Sequence, residues 1–346
     1  MPTIPAAKLR TYVTSIFNAA GCNPPEDEQV ARRLVESNLV GHDSHGVIRV
    51  SFYVNWLREG KVHANRKMQV VFENDCLAVV DGGFGFGQAI GEQAIGLGIE
   101  KSKKHGVSIV AIRNCGHLGR IGDWAEMAAD AGKISLHWVN TSGLGNLVPP
   151  FGGIDRRLSA NPIAAGVPYS GGQPIILDIS TSSIAEGKIK VAFNKGIQVP
   201  PGSIIDHDGN PTTDPKVFYG DPPGAILPFG GHKGYGLGIM AEMLAGALTG
   251  GGCTDPKIKQ LSNGMLSIIL DPSFFATDND FSSEVKRFVE WVKSSRRIAA
   301  DGEILLPGEI EQRTRAQRNQ AGITLDDLTW QQINDTARSV GLSEAT

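Results

Sequence analysis

Residues Gly41-His42-Asp43-Ser44-His45-Gly46-Val47-Ile48-Arg49 bring two imidazoles, a carboxylate, a hydroxyl and a guanidinium into one short stretch. An imidazole can give and take a proton near neutral pH. A guanidinium grips a carboxylate through two parallel hydrogen bonds. If the chain is helical from Val47, Arg49 stands about one turn beyond His45, so the two can face one pocket, with Ser44 beside them. Proton exchange next to a carboxylate clamp is the chemistry that a 2-hydroxy or 2-oxo acid requires.

Other stretches offer candidate chemistry. His42 and His45 form an HxxH pair that His117 could complete as a three-histidine zinc site, the arrangement of a metal-dependent hydrolase or lyase. The spacing is not HExxH and no carboxylate holds a matching position, so acid–base duty for His45 or His117 is the expected role. Gly230-Gly231-His232-Lys233-Gly234-Tyr235-Gly236 runs into a helix, where free N–H groups and the Lys233 charge suit a phosphate or pyrophosphate. Asp178-Ile179-Ser180-Thr181-Ser182-Ser183 follows an apolar strand. Its hydroxyls suit ribose or phosphate at a strand end, or serve as helix caps. Gly85-Phe86-Gly87-Gln88-Ala89-Ile90-Gly91 reads GxGxxxG, one residue longer than the dinucleotide fingerprint, and Glu100 falls inside the following helix. It is expected to be a structural turn that does not touch a pyrophosphate.

The elements that must position these groups follow from periodicity. Helices are expected over 6–19, after Pro24-Pro25, and over 47–58, where Phe52, Tyr53, Trp56 and Leu57 would face inward. Strands over 68–73 and 76–81 pair across Asn74-Asp75. A helix over 88–104, a strand over 107–112, a helix over 122–131 and a strand over 134–139 follow. Residues 143–165 are rich in Gly and Pro and read as irregular. A strand over 175–179 and a helix over 184–194 come next, then turns over 196–231, a helix of small residues over 236–248 and a strand over 266–270. The last helices cover 280–295, with Phe288, Val289, Trp291 and Val292 inward, then 310–321 and 325–340. Alternating strands and helices indicate an α/β domain with a largely buried sheet.

The totals bound the reading. The chain has 346 residues, is 20% charged and 41% hydrophobic, and carries a net charge of −3. That fits a large core and argues against an electrostatic nucleic-acid binder. No apolar run reaches the roughly 18–20 residues of a membrane span. Met1-Pro2-Thr3-Ile4-Pro5 lacks the basic start and apolar core of a signal peptide, and Cys22, Cys76, Cys115 and Cys253 form no CxxC pair. A cytoplasmic protein with reduced thiols is expected.

Taken together, SHGVIR at 44–49, NCGHLGRIG at 114–122, ANPIAAGVP at 160–168, LDISTSSIAEGKI at 177–189, GGHKGYGLGIMAEMLAGALTG at 230–250 and LPGE at 306–309 resemble the type 2 malate/L-lactate dehydrogenase family. This family includes hydroxycarboxylate, ureidoglycolate, sulfolactate and diketogulonate dehydrogenases and cyclic ketimine reductases. The resemblance implies NAD or NADP as cofactor, a homodimer, and a fold that is α/β but not Rossmann. The expected architecture has three α/β/α layers, a mixed sheet over 67–271, and a helical substrate and dimer unit from 1–66 with about 272–346. It matches the proton donor to His45, the carboxylate-binding arginine to Arg49 and a second active-site histidine to His117. Nucleotide contacts match Asp178, Ile179, Ser180, Thr181, Ser182, Ser183, His232, Lys233, Pro307, Gly308 and Glu309, with Asn161 in the same site. Many members carry Thr where this chain has Ala160. The implied activity is hydride transfer between nicotinamide and C2 of a small 2-hydroxy or 2-oxo acid, with reduction of a cyclic C=N 2-carboxylate as the alternative. Lys188, Lys190, Arg156 and Arg157 are the candidates for a 2′-phosphate.

Overall fold

A computed structural model describes residues 1–143, 145–275 and 280–343. In chain order the elements are β1 (Thr3–Ile4), α1 (Ala6–Ala19), α2 (Glu26–Leu39), α3 (Val50–Arg58), β2 (Gln69–Glu73), β3 (Leu77–Asp81), α4 (Gly87–His105), β4 (Val107–Cys115), α5 (Gly122–Asp130) and β5 (Ile134–Ser142). Then come β6 (Ile163–Val167), β7 (Ile175–Ile179), α6 (Glu186–Lys195), the short strands β8 (Ile204–Ile205), β9 (Pro211–Thr212) and β10 (Ala225–Ile226), and α7 (His232–Ala241). The chain closes with β11 (Ser262–Leu270), α8 (Phe281–Lys293), α9 (Glu309–Ala321), β12 (Ile323–Thr324) and α10 (Asp327–Ser339).

The central sheet has seven strands in the order β2-β3-β4-β11-β5-β6-β7. Only β3 and β4 run parallel; every other neighbouring pair is antiparallel. The sheet is therefore mixed, as the family implies. Helices α4 and α5 cover one face, and α7 with its continuation covers part of the other, giving three layers. The register puts the ends of β3, β4, β5 and β7 on one rim, together with the start of β6. Loops beyond strand ends are where α/β proteins place ligands.

Three hydrophobic cores stand behind this layout. The first joins α1, α2 and α3 to Ile323, Leu325, Ile333 and Ala337, so the chain's two ends share one helical unit. The second lies between the sheet and α4 and α5, around Trp124, Ile90, Ile112 and Ile269. The third is small, and packs Val148 and Leu158 on Ile189 of α6 and Ile204, Phe218 and Ile226. It joins the segment read as irregular and the stretch read as turns to α6.

Several local expectations are corrected. The chain after His45 is not a continuous helix: Asp43–His45 and Val47–Arg49 are separate 3-10 turns, Gly46 is extended between them, and α3 starts only at Val50. The helix phase follows that start, so Val50, Tyr53 and Val54 are buried while Phe52 is 47% exposed. In α8 Val289 is buried as expected, whereas Phe288 and Trp291 are 51% and 67% exposed. Strand β6 arises in the segment read as irregular. Its Gly166 lets the Ala125 backbone of α5 come close: a Cβ there would sit 2.6 Å from the Ala125 carbonyl oxygen. The small-residue helix starts earlier than expected, at His232, and becomes a π-helix over Glu242–Ala247.

Candidate active site

The His42–Arg49 stretch is shaped by a polar residue near the end of the preceding helix. Asn38, in the last turn of α2 and 1% exposed, turns its side chain into the following loop. Its Oδ1 accepts from the Val47 N–H at 2.8 Å and its Nδ2 donates to Asp43 Oδ1 at 2.7 Å. Gly46 is needed here, because a Cβ would lie 2.2 Å from Asn38 Oδ1. From the other side α9 holds the loop: Arg318 pairs with both Asp43 oxygens, at 2.6 and 3.1 Å, and Glu311 meets His42 Nε2 at 3.2 Å.

His45 and His117 face each other with ring centroids 5.6 Å apart and planes 22° apart. His45 comes from the α2–α3 loop and His117 from the loop after β4. Ser44 Oγ lies 3.0 Å from His45 Nδ1, and Tyr53 Oη lies 2.7 Å from His117 Nδ1. Arg49 donates from Nε to the Ser44 carbonyl at 2.7 Å. Its terminal nitrogens have no hydrogen-bond partner among the described residues, and its guanidinium lies 5.8 Å from the Phe52 ring. Burial and then the Arg49 charge push the His45 imidazole down to about 3, and the same two causes hold His117 well below the usual range. Both rings are therefore neutral at pH 7, next to a guanidinium with a free fork.

His42 belongs to a different group. Its Nε2 faces Glu311, and no set of three His, Cys, Asp or Glu residues with metal-holding geometry occurs among the described residues. The three-histidine zinc arrangement therefore does not form from His42, His45 and His117.

The glycine run before α4 serves His117. A Cβ on Gly87 would lie 2.2 Å from the His117 carbonyl oxygen, and one on Gly116 would lie 2.6 Å from the Gly85 carbonyl oxygen. A Cβ on Gly91 would meet the Trp124 ring at 2.5 Å. Each glycine is accounted for by close packing within the protein.

The hydroxyl row and the glycine loop expected at the cofactor come together. The Phe229 N–H donates to the Thr181 carbonyl at 3.1 Å, the Ser183 N–H to Leu227 at 2.8 Å, and a Cβ on Gly234 would lie 2.6 Å from the Thr181 carbonyl oxygen. His232 and Lys233 stand exposed at the start of α7. The hydroxyls are tied locally: Ser180 and Thr181 donate to the Ala160 carbonyl, Ser182 to Ile184 and Ser183 to Ser203. Asp178 accepts from the Gly122 N–H at 2.9 Å and lies 3.6 Å from Arg120 Nε, so its carboxylate anchors the start of α5. Ile179 ends β7 beside it. Asn161 adopts φ +26° and donates to Glu242 at 2.8 Å. Glu242 is 3% exposed and also accepts from Asn140 and Thr254.

Two further contacts link these loops to their surroundings. Gly187 in the first turn of α6 lies so near Ser44 that a Cβ would be 2.9 Å from the Ser44 Cβ. The hydroxyl row thus leads directly to the histidines. Pro307-Gly308-Glu309 sits along the sheet edge, where Pro307 accepts from the Ile176 N–H at 3.1 Å and Glu309 pairs with Lys293. Of the four candidates for a 2′-phosphate, Arg156 is bonded to the Gly224 and Phe218 carbonyls, Arg157 to Asp155, and Lys190 lies over Phe193 and Tyr219. The Lys188 side chain is exposed and has no hydrogen-bond partner among the described residues.

An apolar cavity of about 950 Å³ lies elsewhere, between α8 and Ile134, Val167, Ile175 and Leu270, at the rim opposite the histidines.

Sequence reasoning missed Asn38, Tyr53, Gln88, Gly187 and Glu242. Tyr53 reads as a core residue; Gln88, Gly187 and Glu242 lie within quoted motifs without being singled out, and Asn38 lies in none. A polar residue in an apolar helical stripe, as Asn38 and Glu242 are, was the available signal.

A mixed α/β sheet with a loop-borne imidazole pair and a free guanidinium makes the dehydrogenases of small carboxylates the class to compare. The chain matches the malate/L-lactate dehydrogenase family profile over residues 4–334, and it belongs to that family. It is 42% identical to hydroxycarboxylate dehydrogenase B of Escherichia coli over 346 residues, covering 99% of this chain and 95% of that one. The solved sulfolactate dehydrogenase of Methanocaldococcus jannaschii superposes with a TM-score of 0.88 at 34% identity, covering 99% and 98% of the two chains. The Δ1-piperideine-2-carboxylate reductase of Pseudomonas syringae pv. tomato does so with 0.85 at 30%, covering 97% and 100%. The relatives are dehydrogenases, so the protein is an oxidoreductase. No helix among the described residues is long and apolar enough to cross a membrane.

Proposed function

We propose that the protein transfers a hydride between NAD or NADP and C2 of a small 2-hydroxy or 2-oxo carboxylic acid. The observation that carries this reading is the free fork of Arg49 beside two neutral, stacked imidazoles. Nicotinamide, when bound, supplies or accepts the hydride. The cofactor fits the rim formed by the Ser180–Ser183 turn, the Gly230–Gly236 loop and exposed Lys233, since this rim leads to Ser44 through Gly187.

The chain's own residues handle the acid. Arg49 holds the carboxylate through both terminal nitrogens. That anion offsets the Arg49 charge, which after burial is the second cause that lowers both imidazoles, so substrate binding raises their proton affinity when a proton is needed. As C2 is reduced, a ring protonated in the presence of the bound acid gives its proton to the oxygen and is left as neutral imidazole, and in the opposite direction the neutral ring takes one back. Orientation of the reactants contributes on the order of 7–11 kcal/mol in well-aligned systems.

Reduction of a cyclic imine 2-carboxylate is the second reading, favoured by the likeness to the Pseudomonas reductase. A panel of 2-oxo acids and cyclic imino acids, each with NADH and NADPH, tests both. No turnover of any 2-oxo acid with either cofactor refutes the first reading. We also infer a cytoplasmic homodimer. In support, the sheet face away from α4 and α5 leaves Leu136 and Leu177 each 37% exposed, and apolar surface of this kind marks association sites. Light scattering on the purified protein tests the dimer.

A further inference from the structure

Tyr53 and Gln88 form a buried chain that ends on His117. Tyr53 is 1% exposed, on α3, and Gln88 is 1% exposed, in the first turn of α4. Gln88 Nε2 donates to Tyr53 Oη at 3.0 Å, and Tyr53 Oη lies 2.7 Å from His117 Nδ1. A phenol that accepts from an amide has its own hydrogen left to give, and His117 Nδ1 is the acceptor within reach. His117 Nδ1 then carries no proton, and a neutral ring must carry it on Nε2. Turning the Gln88 amide over would bury an N–H with no acceptor in place of a carbonyl oxygen that now lacks a donor. Orphaned N–H groups are the rarer of the two.

We propose that Tyr53, oriented by Gln88, is a positioning residue that fixes the tautomer of the neutral His117 ring, so that Nε2 bears a hydrogen that donates a hydrogen bond to the substrate oxygen. This rests on the hydroxy-acid reading above and gives His117 the hydrogen bond that orients and polarises the C2 oxygen, a proton that the ring keeps while it is neutral. Nε2 has no hydrogen-bond partner among the described residues, and the Arg49 charge acts on this ring and on Tyr53 alike. His45 differs: its Nδ1 meets Ser44 Oγ, a partly exposed hydroxyl that can donate or accept, so its tautomer is not fixed in the same way.

The test uses full-length protein labelled with 15N histidine, with the His117 signals assigned from His117→Gln. Wild type is expected to show the Nε2–H form of His117. Tyr53→Phe keeps the ring in the core, and is expected to show mixed tautomers, a kcat for 2-oxo acid reduction lower by about tenfold, the worth of one hydrogen bond, and a nearly unchanged KM. Gln88→Leu is expected to change both quantities in the same direction by less. Wild type in the Nδ1–H form, or a Tyr53→Phe protein with the wild-type tautomer, overturns the proposal. So does a Tyr53→Phe effect confined to KM. The nitrogen spectrum needs no turnover, so an enzyme inactive on every 2-oxo acid would sink the functional reading while the tautomer result still stood or fell by itself.

Discussion

Gly87→Ala separates two explanations of the glycine run that precedes α4. The new Cβ would sit 2.2 Å from the His117 carbonyl oxygen, 2.5 Å from its carbon and 2.6 Å from Leu118 Cα. Comfortable contacts between such atoms run at about 3.5–4.0 Å, so either the His117 loop or the start of α4 must move by roughly 1 Å or more. All three neighbours are backbone, which gives way less readily than a flexible side-chain tip. Overpacking of this kind costs about 1–3 kcal/mol, and a catalytic group misplaced by about 1 Å can cost about 10² in rate. The expected result is a lower Tm, a kcat reduced by about two orders of magnitude and near-normal NAD(P)H affinity. Lys233→Ala should do the reverse, keeping the Tm and weakening the cofactor by about tenfold or more, as loss of a hydrogen bond to a charged group does. Thermal unfolding, steady-state kinetics and a fluorescence titration of reduced cofactor measure all three. A large loss of cofactor affinity in a well-folded Gly87→Ala protein, with none in Lys233→Ala, refutes the reasoning and returns the pyrophosphate to Gly85–Gly91.

Other outcomes follow from the same geometry. His45→Ala and His117→Ala should both bind cofactor, and the one that carries the proton should lose about 10²–10⁴ in kcat; wild-type kcat in either removes that residue from proton transfer. Arg49→Lys should raise KM for the acid and spare the cofactor, because an ammonium cannot reproduce the two-pronged grip; a collapse of cofactor affinity with KM unchanged would put Arg49 in the nucleotide site. Asn38→Ala removes the brace between Asp43 and the Val47 N–H; it should cost about 1–3 kcal/mol and reduce turnover, and full activity would show that the loop holds its shape without it. Burial pushes His137, held between Ser135 and Ser267, down to about 3. Below its ordinary value of about 6.5 the unfolded chain takes up a proton that the native chain refuses. Stability therefore falls as pH drops from about 6.5 toward 3, by about 1.4 kcal/mol per pH unit for this ring. Urea unfolding of His137→Gln from pH 7 to 4.5 should show a shallower fall than wild type, and an equal slope contradicts this account.

What the sequence determined is local. Leu9, Val13, Ile16 and Phe17 recur at helical spacing and form the buried face of α1, and the apolar run ending at Asp81 forms β3. Residue type alone said that His45, Arg49 and His117 could move a proton beside a carboxylate, since that capacity belongs to the side chains themselves. Only the tertiary structure decided which groups are free to use it. Asp178 reads as a strand-end ligand, and folding brings its Oδ2 to the Gly122 N–H and near Arg120. Phe288 and Trp291 read as core beside Val289, yet of the three only Val289 is buried. Tyr53 and His117 lie 64 residues apart, and nothing in either segment announces the other. Periodicity encodes which side of an element is apolar, because that depends on neighbours three or four positions away. Which partner meets a polar atom depends on how separate elements pack, and so appears only when the chain is folded.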